Sequence, residues 1–240
     1  MAGQINFIKR FCTQRHHMIA KAKFKLLPAI ILVTTTHCYA QSLSPVCGEL
    51  ANGYGPFDYR KAESSQRSIV EKFHFTSKVE TLRGGSTAST PGGDLAYTLR
   101  AFPNHPRALM ATIRFAEQTK RNPPPEMIYS VSCWLERAEA FQPDDTTVKM
   151  LFGSYLVRSG KPKEGIQKLE ASLELSGDDT NVLYNLGLAY FELKDFDRSL
   201  ELAHRAYEAG FPLPGLRNKL KKAGKWKEIP QKTEDRPEKP

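Results

Sequence analysis

The residues of this chain whose types could do chemistry are scattered along it. It has six histidines and four cysteines, but no Cys or His cluster has metal-ligand spacing. There is also no Gly-rich phosphate loop followed by Lys-Ser or Lys-Thr, no nucleophile elbow and no HExxH pair. His74, His105 and His204 stand isolated, and His105, inside FPNHPRAL, reads as a turn residue rather than a base. The acidic pairs Asp144-Asp145 and Asp178-Asp179 have the composition of acid catalysts. Both fall immediately before helix starts, however, where a carboxylate caps free amides and opposes the positive helix end. The sequence therefore predicts no catalytic residue, no cofactor and no metal. The rival expectation is an enzyme, or an enzyme subunit, with its site between the aromatic stretch NGYGPFDYR and the first repeats, where His105, Asp94 and Arg100 are the candidates.

The elements that would position such residues are helical hairpins. In NLGLAYFELKDFDRSLELAHRAYEAGF, residues 185–211, an apolar face runs through Leu186, Gly187 and Tyr190, preceded by Leu183. After a short break it resumes at Leu200, Ala203, Ala206 and Tyr207, again at helical spacing. The same grammar appears 34 residues earlier, with Phe152-Gly153 in place of Leu186-Gly187. Small residues stand where two helix axes must come within about 8–10 Å: Gly187, Ser199 and Ala206 in one copy, Gly153, Gly165 and Ser172 in the other. With this period and this alternation of large and small positions, the pattern resembles the tetratricopeptide repeat. The fold class is then all-α: a short solenoid of antiparallel helix hairpins, with an irregular N-terminal extension and a C-terminal capping helix.

Upstream the period is disturbed. Pro103 and Pro143 mark repeat boundaries 40 residues apart, and the excess fits the turn KRNPPPE, residues 120–126, where three prolines force an extended elbow between the two helices of one hairpin. About three repeats are expected over 94–226, beginning near Pro106, Thr146 and Thr180, after a half-repeat helix near Asp94–Phe102. A capping helix, residues 215–222, carries Leu216 and Leu220 on one face with Gly224 as its stop. A disordered tail is expected over 227–240. Residues 41–93 form a loop-rich extension with short helices. Ser77 and Glu80 have capping-box spacing there, and Tyr54, Phe57 and Tyr59 form either an aromatic plug on the first hairpin or a contact surface for glycan or peptide.

The net charge of +9 does not indicate a nucleic-acid partner. Six of the 35 bases lie in residues 1–40 with no acid, which leaves 29 bases against 26 acids in the rest. That basic start, the apolar run Leu26–Val33 and the Cys38-Tyr39-Ala40 site read as a signal peptide, residues 1–40, cleaved after Ala40, with Met18 as a possible true start. The run is too short to remain as a membrane span. Thr35-Thr36-His37 do not suit a lipid-anchoring signal. The expected location is periplasmic or secreted. Cleavage removes Cys12 and Cys38 and leaves Cys47 and Cys133, which pair in an oxidising compartment or else are two unrelated buried thiols.

GPFDYR, GGDLAYTLRAFPNHPRAL and GFPLPGLRNKLKKAGKW further resemble a group of bacterial exported tetratricopeptide proteins with no assigned activity. The repeat resemblance implies a protein-protein interaction module or adaptor whose first helices line a concave groove. The positions facing it are Arg107, Met110 and Arg114, then Met150, Ser154 and Arg158, then Tyr184, Leu188 and Phe191. Such a lining suits an extended or helical peptide with apolar anchors and a carboxylate, supplied by a cell-envelope protein. For Leu188 and Phe191, packing against the adjoining repeat is the alternative. A purely structural envelope spacer, without a groove, is the third reading.

Overall fold

The structure is a computed structural model that describes residues 43–228. The expected leader, with Cys12 and Cys38, and the tail from residue 229 onward lie outside the described residues. Among the described residues there are ten α-helices and no strand: α1 (Ser64–His74), α2 (Ser77–Glu80), α3 (Pro91–Ala101), α4 (Pro106–Thr119), α5 (Val131–Phe141), α6 (Thr146–Arg158), α7 (Pro162–Ser176), α8 (Thr180–Glu192), α9 (Phe196–Glu208) and α10 (Gly215–Lys222). No helix among them is long and apolar enough to cross a membrane.

The repeat starts fall where the caps and spacing place them. Asp145 accepts the Val148 N–H ahead of α6, Asp179 accepts those of Asn181 and Val182 ahead of α8, and Asp195 accepts that of Arg198 ahead of α9. In each acidic pair the second residue caps, while the first takes an arginine from elsewhere: Asp144 from Arg60 and Asp178 from Arg205. Within the two regular hairpins, α6 lies on α7 and α8 on α9 along their lengths. The small residues are what allow this closeness. A Cβ on Gly153 would stand 2.7 Å from the Gly165 carbonyl oxygen, and one on Gly165 2.7 Å from that of Gly153, so the two backbones touch. Ser172 and Ser199 donate to the Thr146 and Gly187 carbonyls of the facing helices.

Helices α4, α6 and α8, the first of each hairpin, pack side by side, and α10 follows on α8 and α9. The second helices α5, α7 and α9 pack chiefly on first helices, and α5 meets α7 through the Glu139–Lys168 ion pair. A stack whose first helices pack more closely than its second helices curves with the first helices inside. The core runs through the stack in two buried clusters, one around Leu99, Leu109, Trp134, Leu135 and Val148, the other around Leu169, Leu183, Leu186 and Ala206. Each large side chain fully buried there stabilises the fold by about 1.5–3 kcal/mol. The pair α4/α5 is the exception: the NPPPE elbow holds its helices apart, and they meet far more sparsely than α6 and α7 do.

The N-terminal residues fill the space this leaves. A 3-10 turn, Pro45–Cys47, packs on α5, where Cys47 is bonded to Cys133 with a Cα–Cα distance of 5.1 Å. The buried Arg137 guanidinium donates to the carbonyls of Cys47, Gly48 and Glu49, and it stands over the rings of Tyr129 and Trp134. Next along the chain, Phe57 packs on Phe102 and its N–H donates to Ala101 at the end of α3. Tyr59 stacks on His105 at 4.0 Å. Asn104 then ties three segments together: it accepts the Tyr59 N–H and donates to Asp58 and Asp145.

Two local expectations fail for the same reason, a distant partner outcompeting a local one. Ser77 does not cap α2, whose N-cap is Thr76, because the Glu80 carboxylate faces Arg107 instead of turning back. Asp94 does not open the half-repeat helix either. Helix α3 begins at Pro91 with Thr90 as its cap, and Asp94, one turn in, accepts the N–H groups of Ser86, Thr87 and Ala88.

Candidate binding groove

Three first helices build the inner face. Helix α4 starts at Pro106, where a missing N–H costs nothing, and is capped by His105 Nδ1, which accepts the Ala108 N–H. Its exposed side presents Met110, 44% exposed, and Arg114. Helix α6 contributes Met150, half-buried at the seam of the two core clusters, then Ser154 and Arg158 one and two turns on. Ser154 donates to Asn185 of α8, a cross-link between adjoining first helices, and Arg158 stands 3.5 Å from Glu117 of α4 with both side chains more than half exposed, a pair that contributes little to stability.

The two ends of the expected lining are covered. Arg107 pairs with Glu80 and lies over Phe75, and Arg114 donates to the Glu80 backbone carbonyl, so α2 closes the N-terminal end. The Arg107 contact holds the Glu80 carboxyl below its ordinary range. At the other end, Tyr184 stacks on Phe211 at 4.1 Å, while Leu188 and Phe191 pack against the cluster of Ala203, Leu216 and Leu220 beneath α10. Leu188 and Phe191 are partly covered by the capping helix. The open part of the face is thus shorter than expected: Met110 and Arg114 on α4, with Met150, Ser154 and Arg158 on α6.

The residues named for an enzyme site do not converge. His105 is fully buried between Tyr59 and Phe75, and burial pushes its imidazole down to about 3, so it is neutral. Its Nε2 stands 3.5 Å from Glu71 Oε1 without a hydrogen bond, and its Nδ1 lone pair is committed to the cap. Asp94 faces His74 and the Ser86–Ala88 amides rather than His105, and among the described residues Arg100 bonds to neither. No group of three or more His, Cys, Asp or Glu able to hold a metal ion occurs among the described residues.

Residues 150–212 match the family model for the tetratricopeptide repeat. This segment carries tetratricopeptide repeats. The match spans the two regular hairpins, α6/α7 and α8/α9, and stops short of the splayed pair α4/α5. Among solved structures, one described as MamA MSR-1 C2 and a MamA mutant each align at TM-score 0.41 and 13% identity. Each alignment covers 63% of this chain, with 79% and 80% of the respective MamA chains. Tetratricopeptide repeats act through protein partners, which makes the inner face the first place to look for one.

Sequence reasoning missed three groups: the Arg137 clamp, the Glu80 contact with Arg107, and Glu139, which pairs with Lys149 and Lys168 between α5, α6 and α7. All three join residues 10 to 90 positions apart, so no local spacing announces them.

Proposed function

We propose that this protein is an exported, periplasmic interaction module that binds a peptide segment of a cell-envelope protein on the inner face of its repeats, without bond chemistry of its own. The observation that carries the reading is the solvent-open Met110 and half-buried Met150 flanked by Arg114 and Arg158 on adjoining first helices. Flexible thioethers accept apolar anchors of varied shape, and two guanidinium groups supply forked donors for a carboxylate. Export rests on the leader-like residues 1–40 and is consistent with the Cys47–Cys133 bond, since such bonds persist in oxidising compartments. The face offers a peptide no continuous basic stripe, which argues against nucleic acid as partner.

The test is a pull-down from periplasmic extract, followed by titration calorimetry of the recovered partner's peptide against the wild type and an Arg114→Glu/Arg158→Glu double variant. The variant is expected to bind at least tenfold more weakly while melting within a degree or two of wild type, because exposed charges contribute little to folding. Unchanged affinity would remove the inner face as the site.

A further inference from the structure

Away from the repeats, α1, α3 and the N-terminal strap enclose a pocket of about 310 Å³ whose walls include Tyr54, Ile69, Phe73, His74, Thr87 and Tyr97. Ile69 and Phe73 stand four residues apart on α1, and each is about half exposed at the pocket. A pair of large apolar side chains held open to solvent has a cost unless something covers it.

Behind these walls a buried carboxylate holds two of the lining side chains, His74 and Thr87. Asp94 is fully buried and accepts N–H groups from Ser86, Thr87 and Ala88 as well as the Thr87 hydroxyl proton. Burial alone would raise its carboxyl, but these donors, Thr87 foremost, outweigh it and hold the group below the usual range, so it is ionised. His74 Nδ1 lies 3.0 Å from Asp94 Oδ1 and 2.9 Å from Thr87 Oγ1. An ionised carboxylate only accepts, so Nδ1 presents a proton to it, which leaves Nε2 as the acceptor of the ring in its singly protonated form. The ring is further fixed by stacking on Tyr97 at 3.8 Å. Among the described residues Nε2 has no hydrogen-bond partner, and no Lys, Arg, Asp or Glu lines the pocket.

We propose that this pocket binds a neutral hydroxyaromatic group, a phenol ring whose O–H donates to His74 Nε2 while its faces contact Phe73, Tyr54 and Ile69. The three requirements have separate origins. Aromatic and branched walls favour a flat apolar ring, the volume admits a single ring with a small substituent, and the fixed acceptor demands a donor on its edge. The absence of charged walls disfavours a carboxylate or ammonium ligand. The site is independent of the inner face of the repeats, so either proposal stands without the other.

The chemistry has two sources, a tyrosine side chain of a polypeptide and a free small phenol. The experiment is an NMR titration of the full chain with 4-methylphenol, with 4-methylanisole, and with end-blocked Ala-Tyr-Ala. The phenol is expected to bind about tenfold more tightly than the ether of the same shape, which lacks the donor. His74→Phe is expected to erase that preference, and Phe73→Ser, at the exposed rim, to weaken both ligands. Tighter binding of the tripeptide than of 4-methylphenol assigns the site to a polypeptide tyrosine; its exclusion assigns a free phenol. Equal affinity of phenol and ether in the wild type, or no binding of either, overturns the proposal, and neither result depends on a variant folding.

Discussion

His105 shows how a residue that could be a base becomes a structural part. Its Nδ1 lone pair caps the start of helix α4, its ring lies between Tyr59 and Phe75, and burial keeps it neutral. The unfolded chain takes up a proton at this imidazole near pH 6.5, whereas the folded chain does not until about 3. The stability this histidine allows is therefore complete above pH 6.5 and is lost as pH falls below it, by about 1 kcal/mol per pH unit over that window. His105→Asn keeps a capping side chain and removes the titration. Its urea midpoint should fall less steeply between pH 6.5 and 4 than that of the wild type, and parallel profiles would show that the ring accepts its proton without cost. The turn role of His105 was legible from its place in FPNHPRAL. The pairing of His74 with Asp94 was not, because the two stand 20 positions apart with no periodic signal between them and only the folded loop 84–90 brings them together.

At the scale of elements, the repeat register was readable because it is a local matter. Caps at Asp145 and Asp179 and the small residues at Gly153 and Gly187 sit at fixed offsets from each helix start. Helix α1 was not readable, since Ile69 and Phe73 share a side of the helix that faces solvent while Val70 alone is fully buried, so no apolar stripe forms. The two equivalent glycines also differ in a way the period conceals. A Cβ on Gly153 would meet backbone, the Gly165 oxygen at 2.7 Å and the Leu169 nitrogen at 3.2 Å. One on Gly187 would meet chiefly the tip of Leu216, a side chain that can turn aside. Gly153→Ala should therefore destabilise by about 1–3 kcal/mol. Gly187→Ala should be near neutral, the small steric cost being offset by about 1 kcal/mol of helix propensity. Chemical denaturation of the two variants measures the difference, and equal costs would mean that the two hairpins share one packing.

For the molecule as a whole, the Cys47–Cys133 bond closes a loop across 86 residues, which on a chain-entropy account contributes about 4–5 kcal/mol. Peptide mapping without reductant should recover the crosslinked pair from the purified protein. Cys47→Ser should raise hydrogen exchange in α4 and α5 while leaving α8 and α9 protected, since hairpins in a stack share interface with their neighbours only. Uniform loss of protection would instead make the chain one cooperative unit. The Arg137 clamp has a consequence in time. Each regular hairpin closes contacts within one 34-residue period, whereas the three carbonyls that Arg137 holds are 88 to 90 residues away. Contacts so distant in sequence form late, after the entropy of a long loop has been overcome. The first segment of the described chain is then the last to arrive, and until it docks the guanidinium and the faces of Tyr129 and Trp134 stay wet. Assembly runs from the regular repeats back toward the beginning of the chain, against the direction of synthesis.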